Sequence, residues 1–281
     1  MSVRFIIDSA SDVLPEEAAA LGVTHLPLKV TFGEETFEDA VTMRHGEFYD
    51  RLAASKALPT TSQINPGDFE DCFKALTEEG HQAVVITLSS KLSGTYQSAL
   101  IAAREFPGSV FVVDSLSASV GQRILLQRGL ELAKLGHSAA EIAAALDGEK
   151  AHVRVAAVID TLEYLKKGGR ISPTVAFAGG VLSIKPAIEV KDGEVAMAGT
   201  ARGHRKGNQL LRELIAQHGG VNFQKPFALV YSGHSDTLLQ NFIADCPELQ
   251  EHPAPLPIHT LGCAIGTHVG PGAYGIAFFD S

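Results

Sequence analysis

The run Ala83-Val84-Val85-Ile86-Thr87-Leu88 holds no charged side chain, and it limits the fold more than any other segment. A strand with one wet face alternates apolar and polar residues. A strand that is apolar throughout has both faces covered, as in a parallel sheet with helices above and below. The neighbouring segments supply the helices. Asn65-Pro66 opens one as N-cap and first-turn proline, Phe69, Cys72, Phe73 and Leu76 repeat at helical spacing, and Gly80 closes it. A helical pattern runs from about Ser93 to Phe106 and another from about Ser119 to Leu135, and Ser138 with Glu141 forms a capping box for a third. With Val3 to Ile7 and Val110 to Asp114 as further strands, the first half reads as a parallel, doubly wound α/β unit.

The second half has a different pattern. Val153 to Ile159 is strand-like, and the alternating runs Lys185 to Val190 and Glu194 to Ala198 flank Asp192-Gly193, a signal for an antiparallel hairpin. Helices at about Lys206 to Gln217 and Thr237 to Cys246 alternate with strands at Phe227 to Tyr231, Ile258 to Leu261 and Tyr274 to Phe279. The expectation is a two-domain α/β chain: an N-terminal domain over residues 1–153, and a C-terminal mixed α/β domain with an antiparallel hairpin over 154–281. No low-complexity linker separates them, so they should pack closely.

Several function classes drop out. A formal net charge of −9 argues against a general nucleic-acid or membrane-surface binder, which needs a positive field. No apolar stretch is long enough for stable membrane insertion, and Met1-Ser2-Val3-Arg4-Phe5 runs into a strand rather than a signal peptide. Cys72, Cys246 and Cys263 are widely spaced and odd in number, which points to neither disulfides nor structural zinc and fits a reducing cytoplasm. Gly270-Pro271-Gly272-Ala273-Tyr274-Gly275 spells a dinucleotide fingerprint but precedes a strand, with no helix to receive a pyrophosphate. Gly233-His234-Ser235-Asp236-Thr237 sits between a strand and a helix like a nucleophile elbow, but Thr237 stands where the second glycine belongs. No phosphate loop and no metal-binding histidine spacing occurs, so neither cofactor nor metal is expected.

Three polar segments remain where an α/β sheet presents its carboxyl ends. They are Pro59-Thr60-Thr61-Ser62-Gln63, Ser89 to Thr95, and Gly266 to Gly272, all read as loops. In the second, a strand gives way to Ser93-Gly94-Thr95 and a helix N-terminus, whose free amides and dipole suit an anion. Hydroxyls of Thr61 and Ser93 could donate to a carboxylate, and His268 could donate or carry charge. Ordinary N-caps and hydroxyl turns explain the same residues. The basic clusters Lys166-Lys167-Gly168-Gly169-Arg170 and Arg202-Gly203-His204-Arg205-Lys206 are either solvated surface or a contact for an anionic partner.

Asp8-Ser9-Ala10-Ser11-Asp12, Thr60-Thr61-Ser62-Gln63, Leu92-Ser93-Gly94-Thr95-Tyr96-Gln97-Ser98-Ala99, Val113-Asp114-Ser115-Leu116-Ser117-Ala118-Ser119, Leu165 to Ile171 and His268-Val269-Gly270-Pro271-Gly272 occur in an order that resembles the DegV family of bacterial proteins. That family includes the fatty-acid-binding subunits of the fatty acid kinase system. The resemblance covers the whole chain and implies a two-domain fold with a long-chain fatty acid between the domains. It places the carboxylate on Thr61, Ser93 and His268, with Ser62, Gly94 and Thr95 beside them. It implies a lipid carrier rather than an enzyme, one that presents its ligand to a separate ATP-dependent kinase for acyl phosphate formation and phospholipid metabolism. Arg170 and Arg202 match basic positions that serve that encounter. Two residues depart from the pattern: Ile64 replaces a proline, and the segment from Gly199 to Lys206 is less basic. Ile159 to Leu165 with Phe177, Val181, Leu182 and Ile184 are candidates for the acyl-chain wall, or ordinary core. The alternatives are a serine hydrolase built on Ser235 or Ser93, a nucleotide-dependent transferase, or a carrier of another amphiphilic carboxylate.

Overall fold

The computed structural model describes residues 2–172 and 183–281. The strands are β1 (Val3–Asp8), β2 (Val23–Leu26), β3 (Lys29–Phe32), β4 (Glu35–Glu38), β5 (Thr60–Ser62), β6 (Gln82–Thr87), β7 (Val110–Asp114), β8 (Val153–Val158), β9 (Ile184–Lys191), β10 (Glu194–Arg202), β11 (Ala228–Tyr231), β12 (Ile258–Thr260) and β13 (Tyr274–Phe279). The helices are α1 (Pro15–Leu21), α2 (His45–Ala54), α3 (Pro66–Glu78), α4 (Thr95–Ala103), α5 (Val120–Lys134), α6 (Ala139–Glu149), α7 (Glu163–Lys167), α8 (Gly203–Gln217), α9 (Thr237–Ala244), α10 (Pro247–Gln250) and α11 (Cys263–Val269).

The N-terminal half is built on a parallel sheet of order β2-β1-β6-β7. Its central strands are buried on both faces, as the run at residues 83–88 requires. Phe5, Ile7, Val84 and Ile86 point into one core with α5 and α6, while Ile6, Ala83 and Val85 point into another with α3 and α4. The local signals hold. Asn65 caps α3 by accepting from the Asp68 amide, and Ser138 and Glu141 exchange both bonds of a capping box.

The second sheet has the order β10-β9-β8-β13-β11-β12, antiparallel except for β11 and β12. Asp192 (φ 51°) and Gly193 (φ 85°) link β9 and β10, the double positive φ that a two-residue hairpin needs. The hairpin tip reaches the first half, where the Ser89 hydroxyl donates to the Gly193 carbonyl at 2.6 Å. One face of this sheet packs on α8 and α9 through Ala156, Val158, Leu229 and Ile276. Its other face meets α5, which also touches β1 and β6, so one helix serves two sheets. That dual contact explains why α5 is buried from Val120 through Leu126.

Two expectations about local structure are corrected. Thr60-Thr61-Ser62 is not a loop but β5, edge strand of a small antiparallel sheet of order β4-β3-β5 that the sequence reading did not foresee. Gly266 to Val269 is not a loop either; it is the second half of α11, with His268 in its last turn.

Candidate functional site

A cavity of about 360 Å³ lies between the two sheets. One end is polar, lined by Thr61, Ser62, Ser93, Gly94, Arg170 and His268. Most of the remaining wall is apolar, with Val155 and Ala157 from β8, Ile188 and Val190 from β9, and Val195 from β10 among its side chains; Gln63, Ser119 and Tyr274 also border the space. The alternation of β8 and β9 selects these residues, because every second side chain faces the first half of the molecule.

Each polar residue is placed by its own element. Pairing of Thr61 with Val30 across β5 and β3 fixes its side chain, which meets His268 Nε2 at 2.9 Å. Ser93 sits in the turn between β6 and α4, where its hydroxyl accepts from the Thr95 amide at 3.2 Å and meets Thr95 Oγ1 at 3.0 Å. Gln63, which the sequence reading did not single out as a contact, packs against this turn and donates to Ser98 Oγ at 3.0 Å. Gly94 admits it: a Cβ there would lie 2.0 Å from Gln63 Oε1. Arg170 turns inward and bridges the two polar walls, donating to the Leu92 carbonyl at 3.3 Å and the Gly168 carbonyl at 2.6 Å.

Helix α11 carries His268, and buried carboxylates hold its start. Asp12 accepts from the Gly262 amide at 2.7 Å, and Asp39 accepts from Cys263 and Ala264 at 2.9 and 3.1 Å. Asp12 also accepts from Ser119 Oγ, so the cavity floor and α11 share one carboxylate. Asp8 joins β1 to β6 by accepting from the Leu88 amide at 2.8 Å. Burial pushes Asp8 and Asp12 up to about 7. Burial, with the Arg170 guanidinium nearby, pushes His268 down to about 4 and leaves a neutral imidazole at the polar end.

The structure thus gathers Thr61, Ser62, Ser93, Gly94, His268 and Arg170 at one cavity end. Thr95 stands behind them, fully buried and bonded to Ser93 rather than lining the space. Arg202 does not join them; it is exposed at the end of β10. Of the stretch from Ile159 to Leu165, only Leu165 lines the cavity among the described residues, Ile159 and Leu162 being core. Phe177, Val181 and Leu182 lie outside the described residues, and Ile184 does not line the space.

The chemistry available is that of an anion site closed by hydroxyls, one guanidinium and a neutral imidazole. It is not a nucleophile–base pair: among the described residues Ser93 bonds to Thr95 while His268 bonds to Thr61. Ser235 has no catalytic setting either; its exposed hydroxyl bonds to Thr237, and His234 pairs with Asp50.

Comparison with known proteins bears on the family and the fold. The family model described as "Uncharacterised protein, DegV family" matches residues 2–281. A DegV domain-containing protein of Deinococcus radiodurans is 34% identical over 281 residues, covering 99% of this chain and 98% of its own length. Among solved structures, a DegV family protein of Thermus thermophilus, described for its fatty acid binding, is similar at 32% identity and a TM-score of 0.87, with both chains fully covered. A stearic acid-binding protein of Eubacterium ventriosum matches at 26% identity and a TM-score of 0.85, over 100% of this chain and 98% of its own. A two-domain α/β architecture, the six quoted motifs and a full-length match agree, and the chain belongs to the DegV family.

Proposed function

We propose that this chain binds a long-chain fatty acid between its N-terminal (residues 1–153) and C-terminal (154–281) domains. The carboxylate lies at Thr61, Ser93 and His268, with Ser62 and Gly94 beside it and Thr95 orienting the serine. The observation that carries this reading is the cavity's asymmetry: a long apolar wall ends in a compact set of hydroxyls, an imidazole and a guanidinium. An apolar tail contributes about 0.8 kcal/mol per buried methylene, before ordering costs are subtracted. A carboxylate removed from water has to be hydrogen-bonded or neutralised, and the polar end brings hydroxyl, guanidinium and imidazole groups together. Fatty acids bound by the Thermus and Eubacterium proteins support the same ligand class here.

The carrier presents the carboxylate to a separate ATP-dependent kinase, which forms an acyl phosphate for phospholipid metabolism in the bacterial cytoplasm. Arg170, at the polar end, and Arg202, exposed with Arg205 and Lys206, serve that contact.

Solvent extraction of purified protein and mass spectrometry of the released lipid test the ligand. Wild type is expected to yield about one fatty acid per chain; Ser93→Ala is expected to stay folded, with a melting temperature lowered by the loss of its bonds to Thr95, and to bind added fatty acid about tenfold more weakly, as for a lost bond to a charged group. Lipid-free wild type that also refuses loading overturns the reading.

A further inference from the structure

The segment Lys166-Lys167-Gly168-Gly169-Arg170 contains two adjacent glycines, and the structure gives them different reasons to be glycine. Gly169 has a φ of +68° with open space around it, a turn position that any Cβ would strain. Gly168 has an ordinary helical backbone (φ −76°, ψ −9°), which any residue can adopt. What excludes a side chain there is His268: a Cβ on Gly168 would lie 2.2 Å from His268 Nδ1 and 2.9 Å from its Cε1. The methylene of Gly168 therefore lies against one edge of the imidazole. The contact is reinforced on both sides. The ring of Tyr164, on α7, lies so near Gly270 that a Cβ there would meet it at 2.4 Å, and Arg170 holds the Gly168 carbonyl.

This contact bears on where the imidazole proton sits. Nδ1 of His268 is buried and has no hydrogen-bond partner among the described residues, while Nε2 meets Thr61 Oγ1 at 2.9 Å. A buried N–H without an acceptor is rarer and costlier than an acceptor lone pair left against a C–H group. A bare Nδ1 facing Gly168 is the cheaper arrangement, and it puts the proton on Nε2. The Nε2–H then donates to Thr61 Oγ1, and the threonine's own O–H is free to point into the cavity. We propose that Gly168 is a positioning residue, which fixes the placement of His268 and its Nε2–H form and thereby turns the Thr61 hydroxyl proton toward the ligand carboxylate. This rests on the reading of Thr61 as a carboxylate contact; His268, whose one N–H is given to Thr61, belongs to that network through the threonine hydroxyl. The two glycines are thus a turn and a gauge that sets one ring against one hydroxyl.

Gly168→Ala, His268→Ala and the double variant, each delipidated and titrated with oleic acid, form the test, with melting temperatures recorded in parallel. Gly168→Ala is expected to weaken oleate binding about tenfold, the scale of one bond to a charged group. In the His268→Ala background the same change should cost less than about twofold, because the ring it displaces is gone. Full oleate affinity in His268→Ala would overturn the roles of His268 and Gly168, while full affinity in Thr61→Val, titrated alongside, would sink the carboxylate reading itself. Weakened His268→Ala beside an unaffected Gly168→Ala would leave that reading standing and overturn the role of Gly168, as would an equal Gly168→Ala loss in both backgrounds. NMR of wild type with isotope-labelled histidine adds an arm that needs no variant. A neutral His268 protonated on Nε2 is expected, and protonation on Nδ1 overturns the proposal.

Discussion

Ser93-Gly94-Thr95 and Ser235-Asp236-Thr237 are nearly the same local structure. Each follows a strand of a different sheet and opens a helix, α4 in one case and α9 in the other. In each the threonine amide donates to the serine hydroxyl at 3.2 Å, and the two hydroxyls meet at 3.0 Å in the first and 2.7 Å in the second. Their surroundings differ. Thr95 is fully buried and Ser93 borders a cavity that Thr61 and His268 also face, whereas Ser235 and Thr237 are exposed, beside a histidine that pairs outward with Asp50. The hydroxyl turn is a helix-start device in both places. What sets one of them on a cavity is the convergence of distant segments on it, which no local motif contains.

The largest test of this contrast is stability. Thr95→Val removes a buried hydroxyl from its partner and is expected to cost about 2 kcal/mol in urea unfolding, while Thr237→Val, in water, should cost less than about 0.5 kcal/mol. Equal costs would mean that burial does not separate the two turns. A second test uses pH on delipidated protein. Folding holds His268 neutral, down to about 4 from an ordinary 6.5. Below about 6.5 the unfolded chain therefore takes up a proton that the folded chain refuses. The stability this group contributes is intact above that point and declines as pH falls toward 4. Replacing the imidazole by His268→Gln should flatten the stability loss between about pH 7 and about pH 5 by about 2 kcal/mol. An unchanged slope would place the imidazole in water rather than at a dry cavity end. The smallest effect is expected at the outer turn. Ser235→Ala and His234→Gln should leave retained lipid as in wild type and cost at most about 1 kcal/mol, the value of an N-cap. Lost lipid in either would erase the distinction.

The same contrast shows why the sequence was legible in some places only. The parallel sheet and the Asp192-Gly193 hairpin were readable because their signals are local: a charge-free run at residues 83–88, and two residues that accept positive φ. The small sheet β4-β3-β5 was not, since strands of three and four residues carry too little alternation, and Thr60-Thr61-Ser62 resembles a turn by composition. Helix α11 was hidden for another reason. Its seven residues include Gly266, a poor helix former, and its start is held by Asp12 and Asp39, more than 220 positions away. Gly266 itself is fixed by packing, as a Cβ there would strike Phe48 at 2.7 Å. Thr61, Ser93 and His268, candidates from the loop reading and the family motifs, all line the cavity. Sequence alone leaves Ile159 to Leu165 open between acyl-chain wall and core, because that run is equally apolar in either place; Ile159 and Leu162 are core and Leu165 lines the cavity.

Because Asp12 and Asp39 hold α11, the order in which the chain is made matters. The core on one side of the first sheet contains Phe48 and Tyr49 but also Cys263 and Ala264. Thr61 and His268 are 207 positions apart. At about 5–20 residues per second, that stretch takes a ribosome roughly 10 to 40 s to add. In the part of that interval after residue 153 is made, the N-terminal half has an open apolar seam beside Phe48, and Asp12 and Asp39 lack the amides of residues 262–264. The first sheet can assemble early, but its last packing layer and the polar end of the cavity close together, in one late step, when residues 262–268 arrive.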